Sequence, residues 1–180
     1  MRRARSVLGM ATTNELLLDV FGRVDEGLRA LLPAVPAEDL NVRPDGVGNP
    51  IGWLVWHLLR VQDDHVSEIA GREQVWTSGG WFERSGLPFP AEAHGYGFTD
   101  EQVDQTRFDG SELLSGYQSA VHETTVDLLG AITADRIDDV IDASWDPPVT
   151  VGVRIVSVAE DCLQHLGQAN YVAGLLRARR

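Results

Sequence analysis

Apolar residues return along the chain at the three-and-four spacing of a helical face. From Thr12 to Leu32 they fall at Leu17, Val20, Phe21, Val24, Leu28 and Leu31. Thr12 followed by Glu15 is a capping-box pattern that starts this helix, and Pro33 and Pro36 end it. A second helix is predicted from Asn49 as N-cap and Pro50 as its first residue, through Trp53-Leu54-Val55-Trp56-His57, to Ile69-Ala70 before Gly71. The first half of that helix is apolar on most sides, which makes it central. A third long helix starts with Asp109 and Glu112 and carries Leu113, Tyr117, Val121, Thr125 and Leu128. The last runs from Arg154 or Ser157 to Leu176.

The stretches between these helices differ in kind. Residues 72–98 are rich in Gly and Pro yet carry Trp76, Trp81, Phe82, Phe89 and Tyr96, which solvated linkers do not spend. Such a segment is either a plain cover over the end of the bundle or a lid that touches a substrate, and the pattern leaves both open. Thr99 with Gln102 is a second capping box, so a short helix follows. Between Ile137 and Val153 the pattern breaks at Pro147-Pro148 and continues in the β-branched run Val149-Thr150-Val151, which favours a small extended excursion. The fold class expected is all-α: an antiparallel four-helix bundle with a long loop between helices 2 and 3 and a short extended excursion before the last helix.

A length of 180 residues suits one domain spanning 1–180, with residues 1–11 as a frayed tail. The net charge of −12 repels phosphate backbones, and no stripe of Lys or Arg offsets it, so no nucleic-acid partner is expected. Arg2, Arg3 and Arg5 precede a short apolar run, Val7 to Ala11, that is too brief for a secretory signal. No stretch approaches the roughly 18 apolar residues of a membrane span. Cys162 is the single cysteine, which excludes an internal disulfide, and a cytoplasmic, soluble protein is expected. A homodimer is left open.

His165 lies mid-way along the last helix and Asp161 one turn before it, within roughly 40° of the same face. Side chains so spaced can grip one ion, although an Asp and a His four apart are more often an ordinary pair. His57 sits among Trp53, Trp56, Leu58 and Leu59 and must be buried, and a buried imidazole needs partners. Those partners are either a metal or a backbone carbonyl or Asp64. Glu160 competes with Asp161 but points about 100° away. His65 and His122 read as surface or packing residues, and Cys162 as a small buried hydrophobe.

The run Asn49-Pro50-Ile51-Gly52-Trp53-Leu54-Val55-Trp56-His57-Leu58 resembles the second-helix motif of DinB-like proteins, in which a histidine after a Gly-Trp-containing helix start is the first metal ligand. Asp161-Cys162-Leu163-Gln164-His165-Leu166-Gly167-Gln168 resembles the last-helix motif of that superfamily, where a ligand precedes His-x-Gly-Gln by one turn. The passage His94-Gly95-Tyr96-Gly97-Phe98-Thr99 through Gln102-Val103, with Arg107 after it, resembles actinobacterial members. Many members have histidine at the position of Asp161. The mycothiol-dependent maleylpyruvate isomerases have a carboxylate there, and this chain resembles them with Asp in place of Glu.

The resemblance covers roughly residues 12–177 and implies a divalent metal, zinc first and Ni2+, Fe2+ or Mn2+ next, held by His57, Asp161 and His165. Three protein ligands leave a fourth position of a tetrahedral zinc open, and a thiol bound there is deprotonated at neutral pH. The function implied is a metal-dependent thiol S-transferase, or thiol-dependent isomerase, that joins a low-molecular-weight thiol such as mycothiol to a small electrophile. The alternatives are a non-catalytic, metal-containing or stress-induced binding protein and a metal-dependent hydrolase. Gln168, three residues beyond His165, is expected to reach the site as the catalytic amide, supporting a ligand or touching substrate.

Overall fold

In the computed structural model, which describes residues 11–180, helix α1 (Thr13–Leu31) opens on the expected capping box. Thr12 Oγ1 accepts from the Glu15 amide, and the Glu15 carboxylate accepts from the Thr12 amide. The frayed tail expected over residues 1–11, with Arg2, Arg3, Arg5 and the apolar run from Val7, lies outside the described residues apart from Ala11. Six helices follow: α2 (Ile51–Ala70), α3 (Val75–Ser78), α4 (Trp81–Ser85), α5 (Asp100–Gln105), α6 (Glu112–Ala131) and α7 (Val151–Ala178). A two-stranded antiparallel hairpin, β1 (Val140–Asp142) with β2 (Val149–Thr150), sits between α6 and α7. None of the described helices is long and apolar enough to cross a membrane.

Three helix starts differ from the pattern-based expectation. Pro50, not Asn49, is the N-cap of α2 and makes no side-chain cap; the Gly52 amide instead donates to Leu40 O at 2.8 Å. Gly52 permits this approach, since a Cβ there would lie 3.1 Å from Leu40 O and 2.9 Å from the Phe108 ring. Ser111 precedes α6, so Asp109 stays outside the helix. The last helix starts at Val151, before Arg154, because Thr150 Oγ1 accepts from the Val153 amide. The β-branched run is therefore split: Val149 and Thr150 pair with β1, and Val151 is already helical.

α1, α2, α6 and α7 form the bundle around one buried cluster that includes Phe21, Leu28, Leu54, Trp56, Leu58 and Ile155. Their directions refine the antiparallel expectation. α2 runs antiparallel to α7, as Leu58 meets Cys162 and His65 meets Arg154. α1 is antiparallel to α6, with Asn14 on Ile132 O and Asp25 on Gln118. Two neighbouring pairs are parallel, however: α2 beside α6 (Asp63 with Tyr117, Arg72 with Thr124) and α1 beside α7 (Gly27 against Leu166, Val35 near Ala173). The order is thus up, down, down, up. The stretch between Ala70 and Glu112 is long enough to return the chain along a helix of about 30 Å, which a short loop could not do.

That return segment is tied down by buried charge. Asp63 accepts from the Val75 and Trp76 amides, from Ser67 and from the Tyr117 hydroxyl, while Arg60 donates to the carbonyls of Ala91 and Ala93 and to Tyr117 Oη. The Arg60–Asp63 pair, 3.6 Å apart, is inaccessible to solvent on both sides. Trp76 is buried between Trp56 and Tyr117, and Trp81 packs on Tyr117 and over Gly116. Trp76, Trp81 and Phe82 are therefore cover, whereas His94 and the exposed Tyr96 line the cleft described below.

Asp63→Ala should be costly, because it leaves the Arg60 cation buried without a counter-charge. A loss of roughly 3–5 kcal/mol is expected in denaturant unfolding, against little change for exposed Asp19→Ala, whose partner Arg23 is fully solvated. Equal effects would show that the buried network does not anchor the segment.

Candidate metal centre

Helix α2 delivers His57 to the interface with α7, where Asp161 and His165 stand one turn apart. One ligand atom from each of the three lies within 4.8 Å of the others. His165 Nε2 is 3.5 Å from Asp161 Oδ1, and the two imidazole rings are 4.7 Å apart, nearly perpendicular at 81°. A tetrahedral zinc with bonds of about 2.1 Å has ligand–ligand edges of about 3.4 Å, so the triad needs only small side-chain rotations to close on an ion. Among the described residues this is the one such His/Cys/Asp/Glu group.

Each ring is held by its other nitrogen. His57 Nδ1 meets the carbonyl of His94; because a carbonyl only accepts, Nδ1 carries the proton and Nε2 keeps its lone pair. The His57 ring also stacks on Trp53, 4.7 Å between centroids and 15° from parallel. His165 Nδ1 donates to Gln168 Oε1 at 2.8 Å, which leaves Nε2 facing Asp161. Metal-binding histidines are oriented in this way by carbonyls and amides behind them. Asp161 Oδ2 is buried and has no hydrogen-bond partner among the described residues. A solvent-inaccessible carboxylate oxygen without a partner is costly, and a cation would satisfy it. The donor set of two imidazoles and one carboxylate fits a divalent ion.

The electrostatics separate the two histidines. Burial pushes the His57 pKa below its usual 6.5, opposed by the His94 carbonyl and reinforced by His165. The hydrogen bond to Asp161 lifts His165 above 6.5, with Gln168 adding to it and burial opposing.

A cleft of about 500 Å³ opens from His57 and Asp161 along the α2–α7 groove, with Tyr96 and Trp145 at its mouth. The site thus has an open side. Gln168 is exposed, does not line this cleft, and stands against His165 Nδ1. Glu160 lies on the cleft wall outside the triad. His65 is in the cleft but beside Arg154, and His122 is near Asp25 on the far side of the bundle. Cys162 is fully buried near Leu58 O and Gln62, and burial raises its thiol far above neutrality. Gly95, which enters the sequence reading only as part of the His94–Thr99 passage and without a role, closes the back of the site. Its φ of +93° suits glycine, and a Cβ there would come within 3.0 Å of His57 Nδ1 and 3.1 Å of both Trp53 and Trp56. The sequence signal was a glycine between two cleft residues, His94 and Tyr96.

A sequence model of the DinB superfamily matches residues 21–169, a span that contains His57, Asp161 and His165. A conserved protein from Enterococcus faecalis, known from its crystal structure, superimposes with a TM-score of 0.87 at 30% identity, over 94% of this chain and 99% of that one. No curated protein matches the chain.

In the ion-free protein, proton NMR titration should resolve two imidazoles on opposite sides of 6.5, His57 below and His165 above. As pH falls, His165 takes up its proton first, so metal affinity should begin to drop above pH 6.5. Coincident titrations would contradict the assigned partners. Gln168→Leu removes the acceptor behind His165 and should weaken zinc binding about 10–100-fold in competition with a chelator. An unchanged affinity would remove Gln168 from the site.

Proposed function

The chain belongs to the DinB superfamily, and from that premise we propose that it is a divalent-metal-dependent thiol S-transferase. The observation that carries this reading is the triad of His57, Asp161 and His165, with the unpartnered Asp161 Oδ2, two of whose members, His57 and Asp161, line an open cleft. A structural ion is enclosed by protein ligands, whereas a reactive one keeps a position for an exogenous group. Zinc suits this set, and Ni2+, Fe2+ and Mn2+ share its ligand preferences. A divalent ion there supplies the acidity that converts a thiol to its thiolate near neutral pH.

The protein's own residues do the rest. The His94 carbonyl and Gln168 fix the ring tautomers, so that both Nε2 lone pairs converge on one point. Trp53 seals the back of His57. Val61 and Val158 line the cleft with apolar surface, which limits water around a nucleophilic sulfur. Tyr96 and Trp145 flank the opening through which an electrophile approaches. The resemblance of the two helix motifs to the mycothiol-dependent enzymes points to mycothiol as the thiol, and such thiols are kept reduced in the cytoplasm.

The test mixes zinc-loaded protein with mycothiol and a general electrophile such as monobromobimane. Thioether should form faster than with free thiol, and His165→Ala should abolish the acceleration while helical content persists, since a chain of this length stabilises its core without an ion. A folded, zinc-loaded protein that accelerates no thiol would overturn the transferase reading. Ester or amide cleavage by that same protein would assign it to hydrolysis by bound water.

A further inference from the structure

The chain has five tryptophans, and four of them are packed. Trp53 stacks on His57, Trp56 and Trp76 meet edge to face, and Trp81 packs on Tyr117 and under the Arg84 guanidinium. Trp145, between β1 and β2, differs: it is 66% exposed, and no other ring or cation among the described residues packs on it. An indole left in water forgoes the burial that its large apolar faces favour. Trp145 lines the cleft of about 500 Å³ that reaches His57 and Asp161.

The loop that carries it is held in place. Asp142 Oδ1 accepts from the amide and the hydroxyl of Ser144 at 2.9 and 2.6 Å, and Asp142 Oδ2 lies 3.5 Å from Arg154 on α7. Hydrogen bonds from Ser144, and after them the Arg154 charge and the Trp145 indole N–H, hold the Asp142 carboxyl below its usual range, with desolvation opposing. The indole N–H is thereby engaged, and the ring faces are left. Arg154 offers nothing to an anion, because Asp142 flanks it on one side and His65 on the other, with Asp64 and Glu68 beside that imidazole.

From Trp145 toward the triad the lining is apolar. Val149 on β2 and Val153 in the first turn of α7 line the cleft with Trp145, and Val61, one turn from His57, and Val158, three residues from Asp161, continue it. The carboxylates of Glu160 and Asp161 repel an anion from the same space. An uncharged conjugated group suits such walls, since it brings flat apolar faces and asks for few hydrogen bonds. A polyol would leave hydroxyls against valine.

We propose that Trp145 is the specificity-determining platform for the electrophile: a flat, uncharged, conjugated group lies on the indole with its reactive carbon directed at the thiol sulfur in the triad. The proposal rests on the metal–thiol reading above and adds the chemical class of the electrophile.

Two measurements test it. In zinc-loaded protein without thiol, acetophenone should shift the Trp145 indole N–H proton resonance, identified by its loss in Trp145→Phe, and acetone at the same concentration should not. A resonance that acetophenone leaves in place overturns the platform. With mycothiol added, phenacyl bromide and bromoacetone present the same reacting carbon, one beside a phenyl ketone and the other beside a methyl ketone. In both, the thiol proton passes to solvent, the sulfur–carbon bond forms as the carbon–bromine bond breaks, and bromide leaves with the electron pair. The ratio of the two kcat/KM values, each divided by the rate with free mycothiol, should favour phenacyl bromide. It should fall roughly 5–10-fold in Trp145→Ala, the range of one aromatic stack, and Trp145→Phe should keep most of it. A ratio that survives Trp145→Ala, or a loss that appears instead as a raised KM for mycothiol, would overturn the assignment. If acetophenone moves the resonance in a protein that accelerates no thiol, the transferase reading falls and the ring platform stands.

Discussion

α2 and α7 pack antiparallel, and this contact sets which side chains meet. One turn of α2 faces one turn of α7: His57 faces Asp161 and His165, Leu58 meets Cys162, and His65 meets Arg154. A shift of either helix by one residue would rotate its face by about 100° and break all three meetings. The surrounding core fixes this register. Ile51, Leu54, Val55, Leu58 and Leu59 are buried on α2, and Val151, Ile155, Val158, Cys162 and Leu166 on α7. Close-packed interiors resist sliding, so the two ends of the α2–α7 groove, at His57 with Asp161 and at His65 with Arg154, are held at a set spacing.

The second constraint is the return segment between α2 and α6. Arg60 and Asp63 tie it to α2, and Arg60 holds the carbonyls of Ala91 and Ala93, adjacent to His94. The carbonyl that orients His57 is therefore set by a buried ion pair one turn further along the same helix. Gly95 lets the chain pass close to Trp53 and Trp56 at that point. The docked segment therefore also orients His57, which gives a use to the aromatic residues spent on what the pattern shows only as a loop.

Much of the arrangement was legible in the sequence. The capping boxes at Thr12 and Thr99, the four long helices and the two motifs around His57 and His165 gave the all-α bundle and the three residues that meet. Local signals failed where tertiary contacts decide. The Gly52–Leu40 hydrogen bond moved the start of α2, and strand pairing of Val149 and Thr150 placed the N-cap of α7 at Thr150. Parallel neighbours were invisible because helix periodicity carries no direction. Arg154 was read only as a helix start, and His65 as a surface or packing residue, because their meeting across 89 residues depends on helix register.

X-ray absorption on protein loaded with one equivalent of zinc tests the central claim most directly. The account predicts nitrogen and oxygen donors at about 2.0–2.1 Å, with two imidazoles resolved by their multiple scattering, and one sulfur at about 2.3 Å once a low-molecular-weight thiol is added. Four protein donors that persist unchanged after thiol addition, or sulfur from Cys162 before it, would contradict an open site on His57, Asp161 and His165.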